Sequence, residues 1–175
     1  MTGKDVFRAT GNGPVDLVQI LLSLLDDAKA RWCVIGGLGV NAYADPVISL
    51  DLDVVVASDR TDSIAEAART RGLRVEAHEH SLNLFSSGSD LRVQIRTDPR
   101  YQTFLDRAEQ RTVLGYPMRV ASIEDVLQGK LWASADPARR PSKRHKDLSD
   151  ILRLVEAHPA LEDRIPTALR QELGL

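Results

Sequence analysis

Apolar and polar positions switch between a helical period and a strand period along the chain, and the switches outline an α/β domain. Leu17, Leu21, Leu24, Leu25 and Ala28 recur at helical spacing after Pro14, predicting a first helix. Trp32-Cys33-Val34-Ile35 is a short apolar strand closed by Gly36-Gly37, and a short helix follows through Val40 to Ala44. Leu50 to Ala57 predicts a second strand, Asp62 to Arg71 a helix ended by Gly72, and Leu73 to Ala77 a third strand. Ser81 to Ser87 and Asp90 to Thr97 alternate and meet at Gly88-Ser89, which predicts a hairpin. Tyr101 to Gln110 reads as helix, and Gly115-Tyr116-Pro117 turns the chain into a short strand, Met118 to Ala121. Two helices, Ser122 to Ala135 and about Lys143 to Ala157, enclose a basic loop containing proline, and a helical tail follows Pro166.

The expected fold is therefore α/β: a mixed β-sheet flanked by helices, with a helical C-terminal third. Residues 1–13, polar and glycine-rich, are expected to form a flexible N-terminus. Residues 14–121 form the core, and 122–175 a helical part of the same domain. A length of 175 residues suits one domain with a core that needs no staples. The balance of 23 Lys+Arg against 25 Asp+Glu excludes a generic polycation that coats nucleic acid. A lone Cys33 excludes an internal disulfide framework and fits a reducing cytoplasm. Leu17 to Leu25, broken by Gln19 and Ser23, is too short to span a bilayer, and the first residues lack the plan of a signal peptide. A cytoplasmic protein with no membrane partner is expected.

Chemistry enters with Asp51 and Asp53. On a strand, positions i and i+2 share a face, so both carboxylates project together while Leu50, Leu52, Val54 and Val56 are expected to bury the other face. Such a pair is either two solvated aspartates on an edge or a site for a hard cation such as Mg²⁺. Upstream, Gly36-Gly37 permits close backbone approach, and the helix start after it offers N–H groups to an anion. Together these suggest a triphosphate cradle beside a metal site.

Val34-Ile35-Gly36-Gly37-Leu38-Gly39-Val40-Asn41-Ala42-Tyr43-Ala44, followed by Ser49-Leu50-Asp51-Leu52-Asp53-Val54-Val55, resembles the core motif of minimal nucleotidyltransferases in the DNA polymerase beta superfamily. The resemblance is to the AbiEii/MenT-type group, known as toxins of type IV toxin–antitoxin systems, and runs from about Trp32 to Leu154. It implies an enzyme with a nucleotidyltransferase fold, an NTP substrate and Mg²⁺ (or Mn²⁺) held by Asp51 and Asp53. It also implies an RNA, tRNA or protein acceptor and a cognate antitoxin. Lys130 falls inside the apolar stripe of Ile123, Val126, Leu127 and Leu131, where a lysine either snorkels out or faces a buried anion. The resemblance assigns Lys130 to the nucleotide phosphates, as a catalytic residue with Asp51 and Asp53. Arg144 extends the stripe of Leu148, Ile151, Leu152 and Val155, and is expected to point toward the sheet and converge with Lys130. Arg144-His145-Lys146-Asp147-Leu148-Ser149-Asp150 resembles the family's Arg-x-Lys-Asp-x-x-Asp signature. Asp147 either orients Arg144 or Lys130 through an ion pair or forms an ordinary helix-face salt bridge. The nucleotide side is thus expected to comprise Gly36, Gly37, Ser49, Arg92, Gln94, Arg96, Arg144 and Asp147.

Two positions depart from the family pattern. Val47 stands where an arginine is usual, and Gln94, in Leu91-Arg92-Val93-Gln94-Ile95-Arg96, stands where a third carboxylate is expected. Gln accepts no proton at neutral pH and is a weaker metal ligand. Asp90 and Asp98 share its face but lie about 13 Å away along the strand. Arg92 and Arg96 flank it. Loss of a general base costs roughly 10² to 10⁴ in rate, so a slow enzyme and a catalytically degenerate binding protein both remain open. An aminoglycoside-type antibiotic nucleotidyltransferase shares the same Gly-Gly and Asp-x-Asp plan. His78 and His80 have spacing that suits zinc or a solvated strand end. Arg139, Arg140, Lys143, Arg144 and Lys146 form a basic run, read either as a track for RNA or as a solvated loop.

Overall fold

The computed structural model describes residues 15–175. The expected flexible segment 1–13 lies outside the described residues. Helix α1 (Leu17–Asp27) is capped by Asp16, whose side chain accepts from the Gln19 N–H at 3.0 Å, and buries Leu17, Val18, Leu21, Leu24 and Leu25. Strand β1 (Trp32–Ile35) runs into the short helix α2 (Gly36–Val40). Strand β2 (Asp51–Val56), helix α3 (Thr61–Thr70) and strands β3 (Arg74–His78), β4 (Ser81–Phe85) and β5 (Arg92–Arg96) follow. A 3-10 segment (Pro99–Asp106) leads to β6 (Glu109–Val113) and β7 (Tyr116–Val120). Helices α4 (Ile123–Ala135), α5 (Pro141–Ala157) and α6 (Thr167–Leu173) complete the chain.

Among the described residues the strands form one seven-stranded mixed sheet in the order β3-β4-β5-β2-β1-β7-β6. β2 is central, antiparallel to β1 and parallel to β5, with Asp51 opposite Arg92 and Asp53 opposite Gln94. Leu52, Val54, Val55 and Val56 are buried, so a core covers most of β2 and leaves its first residues open. Leu50 departs from expectation at 43% exposed. It precedes the ladder, so the alternation that buries Leu52 and Val54 does not reach it.

The expected helix from Tyr101 to Gln110 is also corrected. Helical turns end at Asp106, and Glu109–Val113 is an edge strand paired with β7. Four of its five residues are exposed and polar, so no apolar alternation marks it. The connection is two residues, Leu114 and Gly115, at φ 52° and 84°, the left-handed pair of a tight hairpin. A leucine there conceals the turn in the sequence. No helix among the described residues is long and apolar enough to cross a membrane.

Candidate active site

Strand alternation puts Asp51 and Asp53 on the same face at the open end of β2, with side chains 26% and 16% exposed. Next to β2, β1 ends at Ile35, and the residue that follows, Gly36, has a φ of +66°. A Cβ on Gly36 would stand 2.5 Å from Asp53 Oδ2, closer than real atoms approach, so only glycine lets this turn pass beneath the carboxylate. At Gly37 the nearest side-chain atoms to the same construction are Ser49 Oγ, Asp150 Oδ2 and Lys146 Nζ, at 3.8 to 3.9 Å. Ser49 is buried, and its hydroxyl accepts from the Asp51 N–H at 3.3 Å and from Lys146 Nζ at 3.5 Å. The glycine turn, Ser49 and the aspartates therefore form one contiguous surface.

Cations close over the carboxylates from two sides. From β5, Arg92 Nη2 lies 2.9 Å from Asp51 Oδ1, and Arg96 Nη2 lies 3.4 Å from Asp53 Oδ1. From α5, Lys143 Nζ lies 3.1 Å from Asp51 Oδ2. Burial raises the Asp51 carboxyl, but the hydrogen bonds and charges of Lys143 and Arg92 outweigh it and hold the group below its ordinary 3.8. Ionised Asp51 thus stabilises the fold above pH 3.8, and that contribution is lost as pH falls through the lowered value. Gln94, between the two arginines, donates from Nε2 to Ser81 Oγ at 3.3 Å.

Lys130 faces buried anions, the second of the two alternatives for a lysine inside an apolar stripe. Its Nζ lies 2.9 Å from Asp147 Oδ1 and 2.6 Å from Asp150 Oδ2. Arg139 engages the other oxygen of Asp147 at 2.8 Å, and Arg153 that of Asp150 at 2.7 Å. Burial lowers the Lys130 pKa, yet Asp150 and Asp147 outweigh it and hold it above 10.5. Asp150 Oδ2, held by Lys130, also faces Gly37, 3.9 Å from where a Cβ on that glycine would stand. Lys130 therefore supports the site through Asp150, from behind Gly37.

Arg144 is a correction. Its Nε donates to the Ser134 carbonyl at 3.1 Å and its Nη2 to Glu172 at 2.9 Å, so it ties α4 to α6 and does not converge with Lys130. The reason is position: one turn before Leu148, the helix meets the last turn of α4, whose carbonyls lack partners within the helix. Lys143 and Lys146 reach the site instead. Lys143, Lys146, Asp147 and Asp150 recur at i, i+3, i+4 and i+7, a face the sequence carries openly. Of the five cations in the basic run, Arg139, Lys143, Arg144 and Lys146 turn onto protein partners, and Arg140 is exposed.

Beyond Arg96 opens a cavity of about 550 Å³ lined by Arg100, Tyr101, Trp132, Arg139, Asp98 and His80, among others. Arg100 covers the Trp132 ring at 5.1 Å and is held by Asp98 at 2.8 Å. Sheet order sets this cavity on the β5 side of the aspartates and the glycine turn on the β1 side. His78 and His80 gather no third ligand, and among the described residues no cluster of three His, Cys, Asp or Glu side chains is placed to hold a metal. Burial pushes the Cys33 thiol up to about 12, consistent with a core residue.

Residues 20–174 match the family described as nucleotidyl transferase AbiEii toxin, type IV TA system. No curated protein matches in sequence. Among solved structures, the antibiotic-resistance factor ANT(2'')-Ia is 16% identical, covering 89% of this chain and 94% of its own, with a TM-score of 0.58. The lincosamide antibiotic adenylyltransferase LnuA in its lincomycin-bound form is 13% identical over 81% of this chain and 98% of its own, at TM-score 0.57. A nucleotidyltransferase-like antigenic protein from Paracoccidioides brasiliensis is 16% identical over 90% and 84%, also at 0.57. These likenesses show the nucleotidyltransferase fold.

Proposed function

Because the chain belongs to the AbiEii nucleotidyltransferase toxin family, we propose that it moves a nucleotidyl group from an NTP to an acceptor, using Mg²⁺ or Mn²⁺ held by Asp51 and Asp53. The observation that carries this reading is the approach of Gly36 beneath Asp53, with both carboxylates on one face. Two adjacent carboxylates are the oxygen donors a hard dication prefers, and the chain passes them without a side chain in the way. A bound ion supplies charge neutralisation at the phosphates.

The protein's own residues supply the rest. The Gly36-Gly37 turn, Ser49 and Lys146 bind the β and γ phosphates, while Arg92, Arg96 and Lys143 offset charge that develops on transfer. Lys130, locked between Asp147 and Asp150, keeps α4 and α5 against Gly37 and acts as a positioning residue. An acceptor oxygen attacks the α-phosphorus, the bond from that phosphorus to the bridging oxygen breaks, and pyrophosphate leaves. Gln94 takes no proton, so the acceptor proton passes to a substrate phosphate oxygen.

Attacking and leaving oxygens lie roughly in line, so phosphates on the β1 side direct the acceptor to the β5 side, toward the cavity beyond Arg96. Arginines and a tryptophan suit an anionic acceptor with aromatic bases, an RNA or tRNA end, better than a polycationic aminoglycoside. A protein acceptor is the other toxin-like reading. In this reading the protein works in the cytoplasm and is held in check by a cognate antitoxin.

A second reading has its own observation. Gln94 and the three cations on Asp51 and Asp53 also suit a nucleotidyltransferase fold that binds nucleotide without turnover. Incubation with each labelled NTP, Mg²⁺ and total tRNA or total protein separates them. Label on RNA is the expected outcome, and label on protein moves the acceptor class. NTP binding with no transfer to either establishes the second reading.

A further inference from the structure

We propose that Arg92 and Lys143 occupy the role of a second divalent ion, so that this site works with one metal ion and two built-in cations. The proposal rests on the nucleotidyl-transfer reading and concerns how that reaction is neutralised. Both oxygens of Asp51 already face a fixed positive charge, Oδ1 that of Arg92 at 2.9 Å and Oδ2 that of Lys143 at 3.1 Å. The two groups come from different elements, β5 and α5, so their convergence on one carboxylate is a product of the fold.

The oxygen set tells the same story. Asp53 stands in register with Gln94, whose amide oxygen is a weaker ligand for a dication than a carboxylate. Its neutral amide is drawn toward β4 by the bond to Ser81 Oγ at 3.3 Å. In the next strand the register places Asn83, another amide, whose buried Oδ1 has no hydrogen-bond partner. Across this row the two positions next to Asp53, on β5 and β4, are amides, and the first carboxylate is Glu76 on β3, while Arg96 adds a third cation at 3.4 Å. Two dications on two carboxylates already facing three cations would meet strong repulsion. One dication shared with the nucleotide's phosphates does not.

The experiment counts ions before chemistry occurs. Mn²⁺ is titrated into the full chain saturated with an NTP analogue carrying a methylene group between its α and β phosphates. Free Mn²⁺ is read by electron paramagnetic resonance. One tightly bound ion per chain is expected, and the double substitution Arg92→Met with Gln94→Asp is expected to raise the count to two. Two ions on the unaltered chain overturn the proposal while leaving the nucleotidyl-transfer reading intact. No bound Mn²⁺ with the analogue overturns both. A second variant separates charge from structure. Lys143→Met is expected to slow transfer about 10²-fold while Mn²⁺ binds as tightly or up to about fivefold more tightly, since a competitor for Asp51 is gone. Lys143→Arg is expected to restore most of the rate. Unchanged transfer in Lys143→Met, or parallel loss of transfer and Mn²⁺ binding, contradicts the proposal.

Discussion

Gly36 passes so close beneath Asp53 that a single added methyl group would stand 2.5 Å from Asp53 Oδ2. The φ of +66° at Gly36 adds a second reason for glycine, because a Cβ in the left-handed region costs roughly 1–2 kcal/mol. Gly36→Ala is expected to lower stability by about that amount and to push the carboxylate out of line with Asp51. Calorimetry with NTP and Mg²⁺ should show at least a tenfold loss of affinity. Unchanged affinity would mean that Asp53 is free to move without consequence.

Lys130 is expected to matter for stability first. Lys130→Met leaves Asp147 and Asp150 buried with Arg139 and Arg153 as their remaining partners. Breaking a buried pair costs about 3–5 kcal/mol, and the residual arginines favour the low end, about 3 kcal/mol by urea unfolding. The sign with pH follows from the raised Lys130 pKa. Its contribution is complete below 10.5 and is lost as pH rises through the folded value, so the gap between the two proteins should close only in strong alkali. A gap that closes on acidification from neutral pH to pH 5 would contradict the assignment.

Arg144 makes its contacts at the α4–α5–α6 junction, partly exposed beside Glu172. Arg144→Ala should therefore cost no more than about 1 kcal/mol and leave nucleotide affinity within about twofold. A tenfold loss of affinity without loss of stability would return this residue to the cleft.

In the proposed reaction Gln94 limits the rate. Gln94→Asp restores a metal ligand and a proton acceptor opposite Asp53, and transfer is expected to rise roughly 10²-fold. Arg92 and Arg96 flank the new carboxylate and favour its ionised form, which suits metal binding more than proton abstraction. Pyrophosphate release measures this. Transfer by the native protein at the same rate would show that position 94 has no part in the chemistry.

The elements around the aspartates were legible because each carries a local signal. β2 alternates, the Gly-Gly turn breaks β1, and Asp51 and Asp53 share a face by strand period alone. β6 was hidden because an exposed edge strand needs no apolar alternation, and Leu114 in a left-handed turn gives no Asn-Gly mark. On α5 the apolar stripe drew attention to Arg144, while the face that meets Asp51 and Ser49 is the polar one starting at Lys143. Helical spacing says which residues travel together. It does not say what they meet, and the partners of Lys143 and Lys130 lie 92 and 17 positions away. The cavity beside Trp132 is likewise assembled from β5, the 3-10 segment and the end of α4, with no motif to announce it.

The central claim is that Asp51 and Asp53 hold a divalent ion for an NTP above the Gly36 turn. Calorimetric titration of each NTP into the native protein and into Asp53→Asn, with Mg²⁺ and with chelator, tests it most directly. For the native protein, Mg²⁺ is expected to tighten binding of at least one NTP tenfold or more, and Asp53→Asn to bind with the weaker affinity in both conditions. Equal affinity of the native protein with and without Mg²⁺ for all four nucleotides would contradict the claim.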